Sequence, residues 1–139
     1  MSNETDLIAR VNGLYQAFGR GDVAAITAVV SEDVWWGYAL DYGLPGVPPA
    51  LGPYRGRDGV RRYFAAVAEN LTVQKLAPAA MLTAPRRVAA LIDHDIVVTK
   101  TGRSYVGQLV HLFEFDESGL INRHVHFDDT AAILAAYRE

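Results

Sequence analysis

Residues 86–127 decide the fold and read RRVAALIDHDIVVTKTGRSYVGQLVHLFEFDESGLINRHVHF. They contain three runs rich in β-branched and aromatic residues, at 86–99, 104–115 and 120–127, and such runs are typical of strands. Short turn-forming segments, Thr101-Gly102 and 117–119, separate the runs. The stretch therefore predicts an antiparallel meander, and a weaker run at 71–82 predicts one more strand before it.

The residues upstream of the meander predict helices. Apolar residues at helical spacing mark a first helix: Leu7, Ile8, Val11, Leu14, Tyr15 and Phe18. A short second helix is expected to start at Asp22 and to carry Val23, Ile26, Val29 and Val30 on one side. A strand at 33–38, a long loop at 39–57, a third helix capped by Asp58 and a closing helix capped by Asp129 complete the order. Helices first and strands later predict an α+β fold, with helices on one face of a curved sheet.

Composition narrows the function. The chain has 139 residues, 50% of them hydrophobic and 21% charged, and a net charge of -3. We expect one domain over 1–139, in the cytoplasm, because the N-terminus shows no signal peptide and no apolar run is long enough for a membrane span. The basic residues form no long run, which argues against a nucleic-acid partner. The absence of cysteine excludes disulfides and a cysteine nucleophile. A small molecule or a second protein is the expected partner.

All four histidines are predicted to share one face of the sheet. If Thr101-Gly102 forms a two-residue turn, His94 lies opposite Leu109. If the next turn is centred on 117–118, His111 lies opposite His124, and Leu109 lies opposite His126. Gly107 and Phe113 have the same parity as these histidines. A slip of one residue in either hairpin would reverse the face.

The sequence resembles the SnoaL-like or ketosteroid-isomerase-like family, of the nuclear-transport-factor-two-like superfamily. The first 38 residues, the segment 54–60 and the stretch from 111 through 129 carry the resemblance. It implies a cone: a curved antiparallel sheet wrapped around three helices, with an apolar cavity and often a dimer through the sheet. It also places the histidine face inside the cavity. The fold hosts isomerases, cyclases, epoxide hydrolases, dehydratases and binding modules, so the reaction stays open.

The family's site residues carry over only in part. The positions of the steroid isomerases' tyrosine, base and protonated aspartate fall on Leu14, Tyr38 and His111. The epoxide hydrolases' middle-strand pair falls on Ile92 and His94, or on Asp93 and Asp95, and their last-strand aspartate falls on His126. The polyketide cyclases' last-strand histidine is kept as His124, and their base position is again His126. None of these triads is intact, but a proton acceptor stays at position 126.

These observations predict a small-molecule enzyme without a cofactor, of the isomerase, cyclase or hydrolase type. His126 is the expected base, and His111 or Tyr38 is the expected hydrogen-bond donor to the substrate oxygen. The remaining expected pocket residues are Trp36, His94, Leu109, Phe113, His124 and Asp128. Asp128 either orients an imidazole or caps the last helix. The substrate would be an aromatic, terpenoid or polyketide-like carbonyl compound or epoxide.

Two alternatives stay open at this point. The broken triads favour a non-catalytic ligand-binding or scaffold protein of the same fold. The spacing of His124 and His126, with a third histidine opposite, suits zinc and would indicate a histidine-metal hydrolase. The apolar residues on the outer face, Val110, Leu112, Val125 and Phe127, predict a homodimer.

Overall fold

In the residues that the structure describes, six strands form one curved, unclosed sheet in the order β2-β1-β6-β5-β4-β3. The computed structural model describes residues 3–38, 48 and 52–138. The elements are α1 (Glu4–Gly19), α2 (Val23–Thr27), β1 (Val30–Tyr38), β2 (Tyr54–Arg55), α3 (Gly56–Asn70), β3 (Leu71–Ala84), β4 (Arg87–Val98), β5 (Ser104–Phe115), β6 (Ile121–Phe127) and α4 (Thr130–Tyr137). The predicted α+β class and the strand meander are confirmed. The sheet is not wholly antiparallel, however, because β1 pairs with β6 in parallel.

Two of the predicted helix caps are present. The side chain of Asp22 accepts a hydrogen bond from Ala25 N–H at 3.0 Å, and that of Asp129 accepts one from Ala132 N–H at 3.1 Å. Each satisfies a backbone donor that a helix start leaves without a partner. Gly21, just after α1, has φ +69, a conformation that favours glycine and ends the first helix.

Two helix boundaries differ from the prediction. The second helix ends at Thr27, and Val30 begins β1 instead, where Ile121 N–H donates to Val29 O at 2.9 Å. Pairing with β6 thus overrides the helical spacing of Val29 and Val30. The third helix starts at Gly56, so Asp58 lies in its first turn and is not its cap. The predicted loop 39–57 lies mostly outside the described residues, and its last residues form β2 and the start of α3.

The β4–β5 register differs from the prediction by two residues. His94 lies opposite Gly107 and not opposite Leu109, which pairs with Ile92. The cause is a four-residue turn, because Val98 N–H donates to Arg103 O across it at 2.8 Å. Gly102 supplies the left-handed conformation that this turn requires, with φ +72. A shift of two residues keeps every side chain on its predicted face.

The β5–β6 register is also shifted by two, in two separate steps. The loop 117–119 has three residues, with Gly119 at φ +85, and this adds one residue to the connection. A bulge adds the second, because Glu114 pairs with Arg123 while Phe115 pairs with Ile121. His111 therefore lies opposite His126, and Phe113 lies opposite His124. Either step alone would have turned the histidines of β6 to the outer face.

The core lies between the concave face of the sheet and the helices. The buried stripe of α1 consists of Leu7, Val11, Leu14 and Ala17, and α3 contributes Val60 and Val67. Alternate residues of β4 and β5 are buried against these helices, which is the pattern of a sheet with one covered face. In the part of the chain that the structure describes, no helix is long and apolar enough to cross a membrane.

Candidate active site

A cavity of about 60 Å³ lies against the concave face of the sheet. Seven of the nine predicted site residues line it: Trp36, Tyr38, Leu109, His111, Phe113, His124 and His126. The helices complete the wall with apolar and aromatic side chains, among them Tyr15, Phe18 and Phe64. The histidine face of the sheet is therefore the face that bounds the cavity.

His94 and Asp128 were expected to be pocket residues, but neither is among the residues that line the cavity. The buried Asp128 side chain is 3.3 Å from Nε2 of His126 through Oδ2 and 3.4 Å from Nε2 of His94 through Oδ1. Asp129 N–H also donates to Oδ1 at 2.7 Å. One carboxylate thus lies between two imidazoles. The side chain that caps the last helix is that of Asp129, whereas the Asp128 carboxylate contacts His126.

Gly107 is a neighbour of this arrangement on β5. It lies opposite His94, and a Cβ on it would lie 4.0 Å from Nε2 of His94. That distance is an ordinary van der Waals contact, so the contact between His94 and Asp128 does not depend on glycine at this position. The next position on the same face of β5 is Leu109, which lines the cavity itself.

The hydrogen bond to Asp128 fixes the tautomer of His126. An ionised carboxylate only accepts hydrogen bonds, so Nε2 carries the proton and Nδ1 keeps its lone pair. Nδ1 is buried and has no hydrogen-bond partner among the described residues. His126 therefore has a proton-accepting nitrogen on the side of its ring away from the carboxylate.

A second pair in the cavity wall consists of Tyr15 and His111. The hydroxyl of Tyr15 is 2.7 Å from Nδ1 of His111. Burial, with a smaller contribution from Tyr63, raises the pKa of Tyr15, so the phenol stays neutral. A neutral phenol can donate or accept, and we assign it as the donor to Nδ1 of His111. Nε2 of His111 then carries the ring proton, and this nitrogen has no partner among the described residues. His111 thus presents an unused donor, in contrast to the unused acceptor of His126.

Tyr15 is a residue of the site that the sequence did not predict as one. The tyrosine position of the steroid isomerases falls on Leu14, one residue away, and both Leu14 and Tyr15 line the cavity. The available signal was a hydroxyl-bearing residue within the apolar stripe of α1. A buried phenol of that kind generally finds a hydrogen-bond partner.

Aromatic rings hold two of the imidazoles in place. The parallel pairing of β1 with β6 sets Trp36 beside His124 and Tyr38 beside His126. Both pairs are stacked with ring centroids 4.1 Å apart. The His111 ring packs edge-on against both His124 and His126, at 4.7 and 4.6 Å. The imidazoles thus have few other orientations available.

The electrostatics leave these imidazoles neutral and the carboxylate charged. Burial, with neighbouring histidines, holds the pKa values of His111 and His124 well below the ordinary value. Burial also lowers the pKa of His126, although the Asp128 carboxylate partly offsets it. Burial raises the pKa of Asp128, but the bonds from His126 and Asp129 N–H outweigh that effect and leave the pKa lowered. At pH 7 the site therefore offers neutral acceptors and donors beside one buried anion.

The alternative of a metal site finds no geometric support in the described ranges. Among residues 3–38, 48 and 52–138, no group of three His, Asp or Glu side chains is placed to hold a metal ion. The only carboxylate described next to His126 is already shared between two imidazoles.

Comparison with known proteins places the fold in the nuclear transport factor 2-like class. A protein of unknown function from Burkholderia pseudomallei has this fold and superimposes with a TM-score of 0.84, at 24% identity over 100% of both chains. The chain belongs to the SnoaL-like domain family, whose model matches residues 11–124. This confirms the family resemblance that the sequence carries.

Two further solved structures share the fold. One is TerC co-crystallised with polyporic acid, with a TM-score of 0.78 and 22% identity over 94% of this chain and 96% of that one. The other is a protein from Xanthomonas campestris proposed as a polyketide cyclase, with a TM-score of 0.73 and 22% identity over 97% and 98% of the two chains. No curated protein matches the sequence.

Proposed function

We propose that this protein is an enzyme that performs acid–base chemistry on a small carbonyl compound, as an isomerase or cyclase. The observation that carries the proposal is the Asp128–His126 pair, in which a buried carboxylate backs an imidazole at the cavity wall. A carboxylate in this position orients the ring and stabilises the imidazolium that forms when the ring takes a proton. A protein that only binds an apolar ligand has no need for a buried carboxylate there.

The proposed step begins with Nδ1 of His126. It removes a proton from the carbon next to the carbonyl group, and the electron pair of that C–H bond moves into the enolate. The negative charge develops on the substrate oxygen, where Nε2–H of His111 or the hydroxyl of Tyr38 donates a hydrogen bond. In an isomerisation, His126 then returns its proton to a second carbon. In a cyclisation, the enolate carbon attacks a second carbonyl group, and His126 gives its proton to the alkoxide oxygen formed there. On an epoxide the same imidazole would activate a water molecule.

The proposed substrates are aromatic, terpenoid or polyketide-like. The walls described for the cavity are mostly apolar, and planar rings such as Trp36, Tyr38 and Phe113 face it. Such walls favour ligands with a large apolar surface and few polar groups. The two relatives above support this choice, since one was crystallised with polyporic acid and the other is proposed as a polyketide cyclase.

The decisive variant is His126→Ala, measured against a panel of cyclic ketones, 1,3-diketones and epoxides. Loss of a positioned base lowers turnover by roughly 10²–10⁴-fold. Ligand affinity should stay within about tenfold, because the apolar walls provide most of the binding. His126→Asp should retain more activity than the alanine variant, since a carboxylate can also accept the proton. Tyr105→Phe is the control, because it changes another residue of the cavity wall that has no part in the proposed step.

The same experiment separates the two alternatives. A ligand-binding protein would turn over no substrate in any form and would change affinity only modestly in the alanine variant. A metal enzyme would lose activity with chelator, and His124→Ala would then be as damaging as His126→Ala. Full turnover by the His126→Ala variant would eliminate the proposed base.

We also propose a homodimer through the outer face of the sheet. Val106 and Phe127 are 70% and 45% exposed there, and Val110 and Leu112 lie beside them on the same face. Val125, predicted for this interface, is only 1% exposed and is already covered within the chain. The test is sedimentation at micromolar concentration. A species of twice 15.2 kDa supports the dimer, and a species of 15.2 kDa alone overturns it.

A further inference from the structure

A second apolar hollow lies next to the cavity. It has a volume of about 280 Å³ and is bounded by the end of α1, by α2, by α3 and by the start of β3. We call it the outer cleft. The residues described along its wall carry no charge and no polar side chain. Five of them also line the cavity: Phe18, Phe64, Val67, Leu71 and Val73.

The cavity alone is too small for the proposed substrates. An apolar cavity of about 150 Å³ accepts one benzene ring. The cavity beside the histidines has a volume of about 60 Å³, less than half of that. A carbonyl group with a few attached atoms fits there, so the rest of a larger substrate needs space elsewhere.

Two of the residues that line both hollows, Phe18 and Phe64, are aromatic. The rings of Phe18 and Phe64 lie 5.6 Å apart, and both residues are only half-buried. On the cavity side, Phe64 packs 5.8 Å from Trp36, whose ring stacks on His124. Phe64, which lines both hollows, is thus linked to His124 through the ring of Trp36. Half-buried rings lose less packing when they rotate than fully buried ones do.

We propose that the outer cleft holds the apolar tail of the same substrate whose carbonyl head meets the histidines. Phe18 and Phe64 turn aside to admit the tail. This inference rests on the proposed function and names its substrate class: an elongated carbonyl compound with one compact polar end and one long apolar end. A compact polar molecule would leave the cleft empty and would gain nothing from its uncharged wall.

The test uses methyl ketones of four to eleven carbons and measures their dissociation constants by calorimetry. Each methylene group that enters the cleft should tighten binding about threefold to fourfold. The informative variant is Ala68→Phe, because Ala68 lies on the exposed side of α3 and lines only the outer cleft. Its phenyl ring should fill the cleft, abolish the gain with chain length and leave the short ketones unchanged. Ala65→Phe is the matched control, since it is exposed on the same helix and is not among the residues described along either hollow.

The outcomes decide the cleft and the activity separately. A steep gain with chain length that Ala68→Phe removes and Ala65→Phe keeps supports the tail site, even if no ketone or diketone is turned over. In that case the proposed function fails alone. Affinity that does not depend on chain length, equal behaviour of the two phenylalanine variants, or no binding of any ketone would overturn the tail site, whatever the turnover.

Discussion

His126 and His111 lie side by side on two neighbouring strands, yet their surroundings differ. Both are 7% exposed, and they are direct partners in the β5–β6 register. His126 is backed by the carboxylate of Asp128, while His111 is backed by the neutral phenol of Tyr15. A carboxylate stabilises a positive imidazolium, and a phenol that donates to the ring opposes its protonation. Two equally buried histidines are thereby suited to different roles, one as acceptor and one as donor.

Of the changes that test this difference, removal of the Asp128 carboxylate should lower turnover the most. Asp128→Asn should lower turnover about 10²-fold, because a neutral amide cannot stabilise the imidazolium of His126. An amide oxygen can still accept the hydrogen bond from Nε2 of His126, so the variant removes the negative charge and keeps the bond. The measurement is kcat on a substrate that the unchanged protein turns over.

Asp93→Asn is the matched control for that variant. Asp93 is in β4 on the outer face, where Gln108 donates to it at 3.2 Å. Its loss should leave kcat unchanged. Equal losses of activity in the two variants would show that the carboxylate next to His126 has no special role.

The lowered pKa values of the histidines predict acid sensitivity. The fold disfavours protonation of His111, His124 and His126, so below about pH 6.5 the unfolded chain binds more protons than the folded chain. Their stabilising contribution is therefore present above pH 6.5 and is lost as pH falls. Each fully neutral histidine adds a slope of up to about 1.4 kcal/mol per pH unit. Urea unfolding between pH 7.5 and 5.0 measures the total slope.

A single substitution sharpens that measurement. His111→Gln removes one titrating group, so the slope of unfolding free energy against pH should decrease by the share of one histidine. The lowered pKa of Asp128 acts in a lower range, because its contribution is present above about pH 4 and is lost below that. A slope that is unchanged in His111→Gln would contradict the lowered pKa of His111.

Removing the phenol hydroxyl should have the smallest effect. Tyr15→Phe deletes the donor to His111 and leaves a buried nitrogen without a partner, at a cost of about 1 kcal/mol of unfolding free energy. Tyr137→Phe is the matched control, since its buried hydroxyl has no partner among the described residues and its loss should cost nothing. Chemical unfolding of both variants measures the difference. If Tyr137→Phe is the more damaging of the two, the Tyr15–His111 bond is not a significant contact.

The sequence predicted the faces of the strands better than their registers. Alternation alone puts His94, His111, His124 and His126 on one side, and that result survives because each hairpin is shifted by an even number of residues. The extra residues come from a four-residue turn in one hairpin and from a three-residue turn plus a bulge in the other. Alternation of apolar residues does not reveal turn length, so the direct cross-strand partners could not be predicted.

The side chains that contact the histidines were harder to predict from the sequence than the histidines themselves. Asp128 follows β6 directly, and its parity was visible, but its contact with His94 depends on a strand two places away in the sheet. Tyr15 was visible only as one member of the apolar stripe of α1. Which residue of that stripe reaches His111 depends on the rotation of the helix over the sheet, and the spacing of apolar residues does not fix that rotation to one residue.

The most direct test is nitrogen-15 NMR of the histidine side chains, followed across pH and assigned with single-histidine variants. We expect His126 to be protonated on Nε2 at pH 7, with no proton on Nδ1, and to take its second proton at a higher pH than His111 does. In Asp128→Asn that order should be lost. A His126 ring protonated on Nδ1, or a His111 that titrates above His126, would contradict the assignment of His126 as acceptor and His111 as donor.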